Sequence, residues 1–189
     1  MRKIAFVIPW FGSELPVYFA PFLASCEGNP TIDFYIFTDD KRKYEDSNNI
    51  FFIYCTWEVI KERVQKCFDF NISLDFPYKL CDYKPAYGEI FHDYLKAYDF
   101  WGYCDIDMIW GDIRKFVTDS LLDKYDRIGK QGCFTLYRNT IEVNSYYRCL
   151  PCKGHMYYGD VYTTHDLMAF DEVAEHNGGG QPKYLKIME

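Results

Sequence analysis

The chain has 189 residues, 49% hydrophobic and 26% charged, which suits one globular domain with a real core and leaves too little length for two large ones. Its formal net charge is −7 with no cluster of Lys and Arg, so a nucleic-acid partner is excluded as the expectation. Acidic groups suit instead a metal site that screens the phosphates of a small substrate.

In chain order, residues 3–9 (KIAFVIP) form a short apolar run bounded by Pro and Gly, the pattern of a buried parallel strand. Residues 10–13 follow as a loop. Leu15, Tyr18, Phe19, Phe22 and Leu23 recur at helical spacing over residues 14–26. Pro16 suits a first turn and Pro21 runs against the pattern. Residues 31–38 and 49–55 are two further strands, the first stopped by Asp39 and Asp40. Residues 56–68 are an amphipathic helix with Thr56 as its cap. Strand, helix, strand, strand, helix describes an α/β sheet, which binds ligands at the carboxyl ends of its strands, so residues 10–13 and 38–41 are candidate ligand loops. A helix is then predicted over 85–100, a strand over 100–104 and another over 132–137. Residues 140–149 read as a helix, 150–165 as a loop, 166–176 as a short helix, and 182–188 as the beginning of a strand. The abrupt ending suggests a C-terminal side that is incomplete.

No stretch approaches the ~20 apolar residues of a membrane span. The apolar stretch at residues 4–11 is short and contains Pro9, unlike a signal peptide. A cytoplasmic protein is therefore expected, with its eight cysteines as free thiols. The aromatic share of 20% reads chiefly as a Tyr- and Phe-heavy core, although ring faces also stack well on sugars and bases.

The sharpest chemical feature is FWGYCDIDMIWGD at residues 100–112. Asp105 and Asp107, one residue apart, lie on the same side of an extended chain. At a strand's carboxyl end they can share a divalent cation, Mg²⁺ or Mn²⁺ by the hardness of oxygen ligands, and the cation can grip a diphosphate. The apolar strand before the pair and the apolar run at 108–110 after it argue for a bound ion, since buried carboxylates are costly otherwise. The competing reading is a loop with a capping Asp.

Together, KIAFVIPWFG, YKLCDYKPAYGEI at 78–90, FWGYCDIDMIWGDI, GCFTLYRNT and AFDE at 169–172 resemble a bacterial glycosyltransferase family of capsular and lipopolysaccharide biosynthesis, over residues 3 to about 177. The resemblance implies a GT-A-like (Rossmann-like), mostly parallel sheet flanked by helices in one domain, 1–189. Its nucleotide-sugar-binding half would be 1–110 and its acceptor-side half 111–189. It implies transfer of a sugar from a nucleotide sugar, a UDP-sugar, to a glycan or lipid-linked saccharide acceptor, at the inner face of the membrane and with Mn²⁺ or Mg²⁺. Pro9, Trp10, Phe11 and Gly12 would edge the nucleotide pocket, and Asp39 would lie near base or ribose. Asp105 would contact ribose or metal, and Asp107 would ligate the metal. A further metal ligand late in the chain could be His155 or His165, neither of which aligns with the family pattern.

Lys84, before Pro85, reads either as a phosphate-binding ammonium at a helix start or as a solvated lysine; the resemblance favours the former. Asp171 and Glu172 are the candidate catalytic base of an inverting transfer, with His165 and Asp166 as rivals. Cys149, Cys152 and His155 have zinc-like spacing, but without a second cysteine pair they read as free thiols. Two other functions fit parts of the pattern. One is a metal-dependent phosphohydrolase or nucleotidyltransferase, against which stands the lack of a Gly-rich phosphate loop. The other is a non-catalytic carbohydrate-binding module.

Overall fold

A computed structural model of the protein describes residues 1–69, 71–129, 133–149 and 184–185. The apolar runs become strands β1 (Ile4–Trp10), β2 (Ile32–Thr38), β3 (Ile50–Tyr54), β4 (Phe100–Cys104), β5 (Arg127–Ile128), β6 (Phe134–Arg138) and β7 (Tyr184–Leu185). They form one sheet in the order β3-β2-β1-β4-β6-β5-β7. β3, β2, β1 and β4 run parallel, β6 is antiparallel to both its neighbours, and β7 is parallel to β5. The fold is thus α/β, a mostly parallel sheet flanked by helices.

Strand alternation divides the apolar side chains between two faces. Ile4, Phe6 and Ile8 of β1, with Phe100 and Cys104 of β4, pack beneath helices α1 (Phe19–Glu27) and α5 (Asp119–Lys124). Ala5 and Val7, with Trp101 and Tyr103, pack beneath α2 (Trp57–Gln65), α3 (Tyr87–Ile90), α4 (His92–Leu95) and α6 (Ile141–Ser145). Much of the aromatic content lies in these layers: Phe6 packs on Phe34 and Phe134 at ring distances of 5.5 Å, and Trp101 stacks on Tyr137 at 4.7 Å.

Several helices depart from the sequence expectation. The first begins only at Phe19, so Pro21 falls in the opening turn, where a missing N–H breaks no helical bond. Thr56 stands at the cap of α2 without a side-chain capping bond. The helix expected over 85–100 is two short turns parted at Phe91, whose φ of −111° is not helical. Its cause is aromatic packing, because Phe91 is fully buried between Phe37 at 4.6 Å and Tyr87 at 5.2 Å. A 3₁₀ run, Pro77–Ala86, leads into it. The helix expected over 140–149 is α6, capped by Thr140 Oγ1 on the Val143 amide at 3.2 Å, and then a 3₁₀ turn. Helix α5, begun by a Thr118 cap, and the short β5 were not anticipated. The loop and helix expected over 150–176 lie outside the described residues.

The outer edge of β3 is covered by the chain just before it. The Ser47 amide donates to the Ile50 carbonyl at 3.0 Å, the Phe52 amide to Asp46 Oδ1 at 2.8 Å, and the Tyr44 amide to the Tyr54 hydroxyl at 2.6 Å.

At the sheet's centre Gly102 permits a close approach of β1, β4 and β6. A Cβ there would stand 2.3 Å from the Thr135 carbonyl oxygen and 2.7 Å from Leu136 Cδ2. Gly102→Ala is therefore expected to destabilise the fold by about 3 kcal/mol through overpacking, read as a lowered urea midpoint; an unchanged midpoint would refute the close packing.

Candidate active site

β1 and β4 pair only over Ile4↔Phe100, Ala5↔Trp101 and Phe6↔Gly102. Beyond that point they part, and a cleft of about 610 Å³ opens between them at their carboxyl ends. This is where the strand order reverses, with β2 and β3 on one side of β1 and β4 on the other, the position at which open α/β sheets bind ligands.

Of the residues proposed from the sequence, Pro9, Trp10, Phe11, Lys84, Asp105 and Asp107 line this cleft, and Gly12 and Asp39 do not. The 3₁₀ run adds Pro77, Tyr78, Leu80 and Cys81, and β4 adds Tyr103 and Cys104. Asp171 and Glu172, like His155, His165 and Asp166, lie outside the described residues.

Asp105 follows β4 directly and shares the face of Tyr103. Its Oδ1 accepts from Lys84 Nζ at 3.1 Å, and that ammonium stands 5.0 Å over the Tyr103 ring. The chain does not stay extended to Asp107: residues 106 and 107 form a turn that sends Ile106 into the core and leaves Asp107 exposed. The Asp105 side chain is 44% exposed, so the pair sits at the mouth of the cleft and is not sunk in an apolar stretch. Ile109, also expected within that stretch, is 73% exposed. Desolvation therefore gives little reason for the two acids to hold an ion; their shared position on the cleft gives a better one.

The β1 loop is held from behind. Gly12, at φ +82°, donates its amide to Asp39 Oδ1 at 3.0 Å, and the Trp10 indole donates to the Ser13 carbonyl at 3.2 Å. The Asp39 carboxylate, read from the sequence as a ligand group, is thus engaged with the loop. Asp40, read only as the end of a strand, is fully buried, accepting from the Leu15 amide at 2.7 Å and from Arg42 Nη2 at 2.6 Å. Arg42 Nη2 also reaches the Leu15 carbonyl at 2.6 Å. The Arg42 bonds hold the Asp40 carboxyl well below the usual carboxylate range, against the opposing effect of burial, with the Leu15 and Arg42 amides assisting. An aspartate doublet followed two residues on by arginine was the available signal.

Burial raises the Tyr87 and Tyr103 phenols and the Cys104 thiol, so all three stay protonated near neutral pH.

The donor set can be tested against a divalent cation. Among the described residues no group of three His, Cys, Asp or Glu side chains converges as a metal cage. Two carboxylates on one open cleft do fit Mg²⁺ or Mn²⁺ carried largely by substrate phosphates and water, the usual mode for such ions. Lys84, already on Asp105, restricts that fit.

The protein is thus of the α/β class, with two carboxylates and a lysine on a cleft at the switch point of its sheet. The chain belongs to the family of unknown function DUF6625, whose family model matches residues 6–187. No curated protein matches it. Among solved structures it is similar to the glycosyltransferase GlyE of Streptococcus pneumoniae TIGR4, with TM-score 0.49, 11% identity and coverage of 99% of this chain and 45% of that one. For the apo form of GlyE the values are 0.45, 14%, 98% and 46%. The chain thus spans less than half the length of those proteins. Among the described residues no helix is long and apolar enough to cross a membrane.

Because the Asp40 carboxyl is depressed in the folded state, its stabilisation is complete above the unfolded value of about 3.9 and is lost as pH falls toward the folded one. Asp40→Asn is expected to lower stability at pH 7 by about 2 kcal/mol, as for loss of charged hydrogen bonds, and to flatten the fall in stability below pH 4. Urea unfolding at pH 7 and pH 3 checks both, and an acid limb as steep as the parent's would refute the assignment.

Proposed function

We propose that the protein is a metal-dependent glycosyltransferase, moving a sugar from a nucleotide-sugar donor to a glycan or lipid-linked saccharide acceptor. The observation that carries the reading is the meeting of Asp105, Asp107 and Lys84 with the β1 segment Pro9, Trp10 and Phe11 in one cleft at the strand-order reversal. The sequence resemblance to capsular and lipopolysaccharide enzymes favours surface-polysaccharide synthesis at the inner face of the membrane as the setting.

In this reading the donor's diphosphate would lie toward Asp105 and Asp107, which would hold the cation, and residues 9–11 would wall the nucleotide. A bound divalent ion screens the diphosphate and stabilises the charge that grows on the departing nucleoside diphosphate. Lys84 adds a positive charge on the same side. The open mouth of the cleft admits the acceptor, whose hydroxyl oxygen bonds to the anomeric carbon as the bond to the diphosphate breaks. If the transfer inverts configuration, a base across the sugar takes the hydroxyl proton, and Asp171 or Glu172 is the proposed source.

Incubation with a panel of nucleotide sugars and Mn²⁺ tests the function. Transfer of sugar supports it; release of phosphate alone would replace it with a phosphohydrolase, and binding without turnover with a carbohydrate-binding module. Asp107→Ala is expected to abolish Mn²⁺-dependent binding of a nucleoside diphosphate with the fold intact, and unchanged calorimetric affinity would remove Asp107 from the metal site. Asp171→Asn or Glu172→Gln is expected to lower turnover by roughly 10²–10⁴-fold with donor affinity nearly unchanged. If both variants transfer at the parent rate, the base lies elsewhere.

A further inference from the structure

The two cleft carboxylates are not equivalent. Asp105 is paired with Lys84 at 3.1 Å, whereas Asp107 makes no ion pair among the described residues. The lysine is not a loose surface group. Its side chain is 13% exposed, it springs from the 3₁₀ run packed on the core, and its ammonium lies over the ring of buried Tyr103. Tyr103 is buried and offers the ammonium its ring face.

A divalent cation shared by Asp105 and Asp107 would meet a positive charge already seated on one of its two ligands. Repulsion at such distances in a partly buried cleft is substantial. A diphosphate changes the balance, since its several negative charges offer Lys84 a new partner on the same side of the cleft. We infer that Lys84 is a positioning residue that makes cation binding conditional on the diphosphate, by neutralising Asp105 until a nucleoside diphosphate draws the ammonium away. This rests on the proposed metal and diphosphate reading and adds to it an order: the cation alone binds poorly, and each ligand strengthens the other by the same factor. The device guards the site against free divalent cations.

The test measures Mn²⁺ binding by electron paramagnetic resonance and calorimetry, without nucleotide and with UDP, GDP or CDP, on the parent, Lys84→Met and Lys84→Arg. In the parent, one nucleotide is expected to tighten Mn²⁺ binding by about tenfold or more. Lys84→Met should bind Mn²⁺ alone about tenfold more tightly than the parent and lose most of the coupling, while Lys84→Arg keeps the parent pattern. Lys84→Met that leaves Mn²⁺ affinity and coupling unchanged overturns the inference and spares the proposed function. So does a parent that binds Mn²⁺ with no coupling to any nucleotide. A lowered melting temperature with both ligands equally weakened would make Lys84 merely structural and likewise overturn it. A parent that binds no Mn²⁺ with or without nucleotide overturns the proposed function, and this inference with it.

Discussion

The structure turns on a change of direction at β1. The chain lays β2 and β3 to one side of it and then places β4 on the other. β1 leads to α1 and β4 to α5, both on the same face of the sheet. Pairing stops at Phe6↔Gly102, and space follows. Gly102 lets β1, β4 and β6 come close just before the gap, so the strands are tightly packed where the cleft begins. Five of the cleft candidates inherit their place from that divergence, Pro9, Trp10 and Phe11 from one strand and Asp105 and Asp107 from the other, while Lys84 is brought in by the 3₁₀ run.

Polar groups around the cleft have two kinds of work. Asp39 binds the Gly12 amide, and Asp40 and Arg42 bind each other as well as the Leu15 main chain, which ties the wall together. Asp105 and Asp107, in contrast, bond little to the protein's own backbone at the mouth and keep lone pairs for other partners. Nearby buried tyrosines and Cys104 remain neutral because burial disfavours their charged forms. The charge that faces the cleft is that of Asp105, Asp107 and Lys84.

The strands β1 to β4 and β6 were legible because strands buried on both faces read as unbroken apolar runs. For the same reason the carboxyl-end position of Asp105 could be read directly. The helices were less legible, since their ends depend on contacts distant in sequence. Nothing in residues 85–100 announces that Phe91 will break the helix to reach Phe37. The 3₁₀ run Pro77–Ala86, which brings Lys84 to Asp105, has no apolar period to betray it. Asp39 reads from the sequence as a ligand group and Asp40 only as the end of a strand; the fold makes the first an acceptor for Gly12 and the second a buried partner of Arg42.

The strap of residues 44–47 along β3 has a consequence for the protein's life in a crowded solution. A parallel sheet that ends in an open strand offers a template on which a stranger's backbone can add. Here the Phe52 amide already donates to Asp46, and the Ile50 carbonyl already accepts from Ser47. An incoming strand would have to break those bonds before making its own. That side of the molecule is therefore protected against fibrous self-association by a few residues of its own chain.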